Sequence, residues 1–166
     1  LVADVISTGQ PGKGQVYHFS NLTDAEREQR YGRGDYSIDS DIIAGRTVPI
    51  RFRFTVGKKE MSQNSRLRVA WRWPFDWADL QKTNPESSNH LTVKAPENVH
   101  LAVQYEQKGN LNPWLHNIDL RVTQGHLQQG DIVDLTCARW QAPTFATLDG
   151  YFLFLVNIDE DNCWFR

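Results

Sequence analysis

Residues 66–77 of this chain read RLRVAWRWPFDW and contain three of its six tryptophans. Hydrophobic side chains recur at every second position, at Leu67, Val69, Trp71 and Trp73, while the alternate positions hold Arg66, Arg68, Ala70 and Arg72. A period of two is typical of a β-strand that buries one face, and it does not fit a helix. Proline cannot donate a hydrogen bond to a sheet, so we predict that the strand ends before Pro74.

The same pattern continues in short segments on both sides of this stretch. Residues 48–56 alternate strictly, with the phenylalanines on one face and Arg51 and Arg53 on the other. Residues 151–158 are apolar on both faces, as expected of a central strand covered on each side. Further strands are predicted over residues 36–43, 91–93, 99–105, 118–122 and 132–137.

The N-terminal part of the chain has a different character. Residues 1–20 contain a cluster of glycine and proline and predict a loose lead-in. In residues 21–31, Thr23 followed by Glu26 matches a capping box and predicts a polar surface helix. We therefore predict an all-β fold, a two-sheet antiparallel β-sandwich of about seven to nine strands with one short N-terminal surface helix. The lead-in and helix occupy residues 1–30, and the sandwich occupies residues 31–166 as a single domain.

Composition limits the classes of function. The chain has 166 residues, 40% of them hydrophobic and 23% charged, with a net charge of -2. These values are those of an ordinary globular protein and favour neither disorder nor nucleic-acid binding. No apolar run approaches the roughly 20 residues needed to cross a bilayer, so no membrane partner is predicted. The chain begins at Leu1 rather than Met, which favours a mature or excised piece of a longer protein, and a periplasmic or secreted location is favoured.

Catalytic and metal motifs are not found in the sequence. The five histidines have no metal-ligand spacing, and no nucleophile elbow, Walker loop or His-Glu-x-x-His motif occurs. We therefore predict that the chain is not an enzyme, with no catalytic residue, no metal site and no cofactor. The acidic runs at residues 35–41 and 159–162 leave calcium open, although neither has the spacing of a known calcium loop. A disulfide between Cys137 and Cys163 also stays open.

Three tryptophans are candidates for ligand binding. Trp77, Trp114 and Trp140 lie in predicted loops, where an exposed indole face would pack against the apolar face of a sugar ring. Trp71 and Trp73, by contrast, share a face with Leu67 and Val69 and are predicted to lie in the core.

The arginines form a second set of candidates. If residues 48–56 and 66–73 pair as a hairpin, their arginines share one solvent face as a basic ribbon. Arginines on a rigid strand can bind carboxylate or sulfate groups in a bidentate manner, although a solvated face that discourages sheet pairing is the simpler interpretation. The ribbon would consist of Arg51, Arg53, Arg66, Arg68 and Arg72.

An ordered series of short motifs runs from residue 31 to about residue 158. It comprises Tyr31-Gly32-Arg33, Val69-Ala70-Trp71-Arg72, Asp76-Trp77, Asn84-Pro85, Tyr105, Lys108-Gly109, Pro113-Trp114, Gly130-Asp131, Gln141 and Thr144-Phe145. In this series the chain resembles the N-terminal β-rich region of a family of large bacterial proteins known only as a domain of unknown function. In that family the region precedes a metal-dependent hydrolase domain resembling the polymerase and histidinol phosphatase type. The Gly-Arg-Pro type turn expected after Trp77 is missing here, and so are the His-x-His ligands of the hydrolase domain.

Two functions follow from these observations. The resemblance implies a non-catalytic accessory β-sandwich that packs on, or presents substrate to, an adjacent metal-dependent hydrolase domain of the parent protein. This hypothesis predicts an exposed apolar patch near residues 163–165. The alternative is a carbohydrate-binding module for an anionic or neutral polysaccharide, using the loop tryptophans and the arginine ribbon.

Overall fold

Eleven strands and one helix make up the part of the chain that the computed structural model describes, namely residues 4–8, 16–20, 22–72, 74–109, 112–145, 152–158 and 161–165. In the three ranges 4–8, 16–20 and 161–165 the description covers the backbone. The elements in chain order are β1 (Asp4–Thr8), β2 (Val16–Ser20), α1 (Asp24–Tyr31), β3 (Gly32–Ile38), β4 (Thr47–Val56), β5 (Arg66–Trp71), β6 (Thr92–Lys94), β7 (His100–Glu106), β8 (His116–Gln124), β9 (Ile132–Gln141), β10 (Leu153–Ile158) and β11 (Asp161–Phe165).

Two antiparallel sheets contain nine of these strands, which confirms the predicted all-β sandwich. One sheet has five strands in the order β11-β10-β5-β8-β7, and the other has four in the order β3-β4-β9-β6. The predicted central strand is β10, which lies between β11 and β5 and buries residues on both faces. The described residues include no helix long and apolar enough to span a membrane.

The N-terminal segment differs from the prediction. The expected loose lead-in is wrong for β1 and β2, which pair with each other as an antiparallel hairpin. Their sequences, DVIST and VYHFS, are rich in β-branched and aromatic residues, which favour extended backbone. The glycines and the proline of the lead-in all lie in residues 9–15, between the two strands in sequence, so they do not interrupt either strand.

The predicted capping box begins α1 at Asp24. The Glu26 amide donates to the Thr23 hydroxyl at 3.3 Å, and the Thr23 amide donates to the Glu26 carboxylate at 2.7 Å. The Thr23 hydroxyl also donates to the Glu26 carboxylate, at 2.7 Å. The bonds from the Thr23 amide and then from its hydroxyl lower the pKa of Glu26, because they favour its ionised form. The helix ends at Tyr31, whose ring is buried, so α1 is attached to the sandwich through its last residue.

The predicted hairpin between β4 and β5 is wrong. β4 pairs with β3 and β9, whereas β5 pairs with β10 and β8, so the two strands belong to different sheets. Residues 57–65 cross from one sheet to the other, and Met61 forms a β-bridge with Leu127 on the way. Alternation in a strand identifies its two faces, but it does not identify the strand's neighbours.

A β-bulge interrupts the pairing of β4 with β9. Val48 is opposite Trp140 and Ile50 is opposite Cys137, so Ala138 and Arg139 together oppose Pro49. Proline has no amide hydrogen for the ladder, and a bulge is one of the few places where a sheet accommodates it. The extra residue exposes both Ala138 and Arg139 and returns Trp140 to the interior.

Aromatic side chains fill the space between the two sheets. Trp71 and Trp140 are fully buried in T-shaped contact, with their ring centroids 5.2 Å apart. Trp77 packs on Trp140 at 4.5 Å, and the indole N–H of Trp140 donates to the Ala78 carbonyl at 2.8 Å. The loop after β5 thus closes one end of the sandwich. Gly34 is required on β3, because a Cβ there would overlap the Phe154 ring of β10.

Candidate functional site

The outer face of the four-stranded sheet is open to solvent and carries polar side chains in transverse rows. Strand pairing aligns one side chain from each strand, so that a row crosses β3, β4, β9 and β6. The first row is Ser37, Arg51, Thr136 and Thr92, and the second row is Asp35, Arg53, Asp134 and Lys94. With neighbouring strands about 4.8 Å apart, each row is about 14 Å long. We call this surface the polar face.

Asp134 holds two arginines in place at the centre of the polar face. Arg53 donates to its carboxylate through Nε and Nη2 at 2.8 and 2.9 Å, and Arg51 donates through the same two atoms at 3.3 and 2.6 Å. Hydrogen bonds from Arg53 and then Arg51 hold the pKa of Asp134 well below its usual range, while the bond to Asp134 raises the pKa of Arg53. The Nη1 groups of both arginines are left for a ligand, because Nε and Nη2 are occupied.

A second ion pair lies beside this cluster on the edge strand β3. The Arg33 Nε donates to both carboxylate oxygens of Asp35 at 3.0 Å. Both side chains are well exposed, and the pKa of Arg33 is raised by its hydrogen bond to Asp35. The polar face therefore alternates in charge across the sheet and offers both donors and acceptors in fixed positions.

Two shallow depressions lie at the two ends of the first row. The first has a volume of about 160 Å³ and is lined by Asp35, Tyr36, Ser37, Arg51 and Arg53. The second has a volume of about 180 Å³ and is lined by Pro85, Ser87, His90, Thr92, Thr136, Ala138 and Arg139. Arg51 belongs to the lining of the first and Thr136 to that of the second, and these two residues are paired in the sheet. The depressions are therefore the ends of one continuous surface.

The predicted arginine ribbon is wrong, because its members lie on two separate surfaces. Arg51 and Arg53 are on the polar face, with 47% and 41% of their side chains exposed. Arg66 and Arg68 are on the outer face of the five-stranded sheet, where both bond to Asp119. Arg72 follows β5, and its Nε is buried with no hydrogen-bond partner among the described residues.

Two of the three candidate tryptophans do not present a face to solvent. Trp140 lies in β9 and is fully buried, so the prediction that it is in a loop is wrong. Strict alternation from Cys137 would point Trp140 outward, and the bulge at Ala138 and Arg139 turns it inward. Trp77 does lie in a loop, but its ring is buried against Trp140. Trp114 is half-buried in the segment before β8, and its binding role stays a prediction. Trp71 is in the core as predicted, and Trp73 lies outside the described residues.

Several residues of the polar face were missed by sequence reasoning. Asp134 and Thr136 alternate outward in β9, and this phase was readable from the sequence. The contact of Asp134 with Arg51 and Arg53 could not be read from the sequence, because it joins positions more than 80 residues apart. Tyr36 is in a strand as predicted, but it is opposite Phe52, so its ring lies on the inner side of β3 and is exposed because β3 is an edge strand.

The other open questions of the sequence concern metals and cysteines. The described residues contain no group of three or more His, Cys, Asp or Glu side chains placed to hold a metal ion. Of the two acidic runs, 35–41 is described and its Asp35 is paired with Arg33, whereas the side chains of 159–162 lie outside the described part. Cys137 is a free thiol on the inner face of β9, and burial raises its pKa to about 11.

The fold and the polar face define a class of protein, a β-sandwich with one open sheet face. No family model matches the sequence, and no curated protein matches it. Three solved structures with a similar arrangement come from Clostridium thermocellum. The CBM3a-L domain with flanking linkers from scaffoldin cipA of the cellulosome is 10% identical, with a TM-score of 0.40 over 80% of this chain and 88% of that one.

The other two structures are similar to the same extent. The carbohydrate-binding module CBM3b from cellulosomal cellobiohydrolase 9A is 11% identical, with a TM-score of 0.37 over 80% of this chain and 96% of that one. The family 3a carbohydrate-binding module from the cipA scaffolding is 11% identical, with a TM-score of 0.36 over 80% of this chain and 100% of that one. At these identities and scores, the ligand of this chain has to be argued from its own side chains.

Proposed function

We propose that this chain is a non-catalytic carbohydrate-binding module that binds a polysaccharide along the polar face. The observation that carries the proposal is the Arg51–Arg53–Asp134 cluster, which fixes two guanidinium groups on an open, regular sheet surface. A side chain that is already held in its bound orientation loses less entropy when a ligand arrives.

The chemistry of the first depression suits sugar hydroxyls. A hydroxyl both donates and accepts hydrogen bonds, and the lining offers the Arg51 and Arg53 N–H groups, the Asp35 carboxylate and the Ser37 hydroxyl. Tyr36 also borders this depression, but it is opposite Phe52 and turns its ring to the other side of β3, against Phe152 with their centroids 5.3 Å apart. The first depression therefore offers a sugar hydrogen bonds rather than an aromatic ring.

The shape of the surface favours a polymer over a small molecule. Pockets for small ligands usually enclose roughly 300–1,000 Å³, and each depression here is smaller than that. A row of polar side chains about 14 Å long between two depressions instead suits an extended chain that makes many weak contacts.

The proposal is tested by calorimetric titration of the chain with a panel of neutral and acidic polysaccharides. We expect at least one polysaccharide to bind, with Arg51→Gln and Arg53→Gln each weakening that binding about tenfold. The matched control is Arg121→Gln, an exposed arginine on the outer face of the other sheet, which should bind like the wild type. Lack of binding to every polysaccharide, or full binding by both polar-face variants, would contradict the proposal.

The predicted association with a metal-dependent hydrolase domain stays a prediction. It rests on the sequence resemblance, and a polysaccharide-binding module next to such a domain would present substrate to it. The apolar patch expected at residues 163–165 falls on side chains outside the described residues. Gene sequence encoding a His-x-His motif downstream of Arg166 would support the association, and a different neighbouring domain would contradict it.

A further inference from the structure

We infer that the polysaccharide is acidic and that its carboxylate or sulfate groups bind in the second depression, beside Arg139 and His90. This inference rests on the proposed function and specifies its ligand. It comes from a difference in charge between the two ends of the polar face.

The lining of the second depression includes one arginine, one histidine and three hydroxyl-bearing residues, and it contains no carboxylate. Arg139 and His90 stand among the hydroxyls of Ser87, Thr92 and Thr136. In the first depression, by contrast, Asp35 is part of the lining and Asp134 neutralises the arginines. Arg139 donates to a neutral group, the Glu86 carbonyl oxygen, so its charge has no carboxylate partner in the described part of the chain.

Arg139 is held in place by the bulge and by the loop opposite it. The Asn89 amide donates to the Arg139 carbonyl at 2.8 Å, and the Gln141 amide donates to the Asn89 side-chain oxygen at 2.9 Å. The loop itself is braced by Gln81, whose side-chain oxygen accepts hydrogen bonds from the amides of residues 83 and 84 at 2.8 and 2.9 Å. The backbone of Arg139 is therefore fixed, and the bond from its guanidinium to the Glu86 carbonyl orients the side chain before an anion arrives, which lowers the cost of binding one.

The charge of the whole polar face points to the same class of ligand. The four strands of this sheet carry two carboxylates, those of Asp35 and Asp134. They also carry five permanent cations, Arg33, Arg51, Arg53, Lys94 and Arg139. The sheet thus has an excess of three positive charges in a chain whose net charge is -2. A surface whose sign opposes that of the rest of the chain attracts a polyanion and orients it.

The test compares acidic polymers with the same polymers after removal of their charge. Polygalacturonate is titrated against its carboxyl-reduced form, and dextran sulfate against dextran. We expect at least one acidic polymer to bind about tenfold more tightly than its neutral partner at low salt, with the difference shrinking as salt is raised. The pair that shows the difference identifies the anion as carboxylate or sulfate.

Substitution of Arg139 assigns the effect to the second depression. Arg139→Gln should weaken binding of the acidic polymer about tenfold while changing binding of a neutral polysaccharide less than twofold. Arg139→Lys keeps the charge but loses the planar fork and should recover part of the affinity. Arg121→Gln is the control, and circular dichroism establishes that each variant is folded.

Two negative results are distinguishable. Equal binding of charged and uncharged polymers, together with an unchanged affinity for Arg139→Gln, would overturn this inference and leave polysaccharide binding standing. Lack of binding to every polymer, neutral or acidic, would overturn the inference and the proposed function together.

Discussion

The two sheets contain almost the same ionic cluster in different surroundings. In each, an Arg-x-Arg pair on one strand shares a single aspartate on a neighbouring strand. Arg51 and Arg53 share Asp134 on the polar face, and Arg66 and Arg68 share Asp119 on the outer face of the five-stranded sheet.

The side-chain exposures of the two clusters differ. They are 47%, 41% and 16% for Arg51, Arg53 and Asp134, but 30%, 19% and 3% for Arg66, Arg68 and Asp119. The neighbours of Asp119 are covered as well, since Ala70, Asn117 and Leu153 on the same face are all buried. The same ionic chemistry therefore has two settings: the covered cluster neutralises buried charge, and the open cluster exposes part of both guanidinium groups to solvent.

The largest expected effect separates the two clusters by stability. Asp119→Asn removes the shared carboxylate from Arg66 and Arg68 and leaves part-buried positive charge uncompensated. It should lower the free energy of unfolding by about 3–5 kcal/mol, measured by urea denaturation. Asp134→Asn is the matched change on the polar face, and water screens the charges there, so it should cost less than about 1 kcal/mol. Equal losses in the two variants would contradict the comparison.

The second prediction separates the clusters by binding. The double variant Arg51→Gln/Arg53→Gln should lose at least about tenfold in polysaccharide affinity, because it removes charged donors from the polar face. Arg66→Gln/Arg68→Gln should reduce stability, since Asp119 would be buried without its partners, while the folded protein keeps its affinity. Calorimetry and urea denaturation on both doubles measure the two effects. The distinction fails if the second double also loses affinity while folded.

The smallest effect concerns pH. Because the folded pKa of Asp134 lies below the unfolded value of about 3.9, its ion pairs contribute stability above that value. This contribution is lost as pH falls through the folded pKa. The difference in unfolding free energy between wild type and Asp134→Asn should therefore be largest near neutral pH, where it stays below about 1 kcal/mol, and should diminish below about pH 4. A difference that grows on acidification would mean that the sign of the pKa shift is wrong.

Local features of the sequence were sufficient for the elements of the fold. Alternation in residues 48–56 predicted β4 nearly to its ends, and Thr23 with Glu26 predicted where α1 begins. The doubly apolar run before Asp159 predicted the central strand β10. Each of these features depends on side chains within a few residues of one another, so each can be read from the sequence.

Tertiary structure alone decided which of these surfaces is open. The segments RFR and RLR share the pattern arginine–hydrophobic–arginine, and their surroundings differ because one sheet face is covered and the other is not. The burial of Trp140 likewise depends on a bulge formed opposite Pro49, and the pairing of Arg53 with Asp134 joins strands far apart in the chain. The sequence by itself determined most of the strands and, apart from the bulge in β9, their two faces. Whether a sheet face is exposed to solvent depends on what packs against it, and the tertiary structure alone decides that packing.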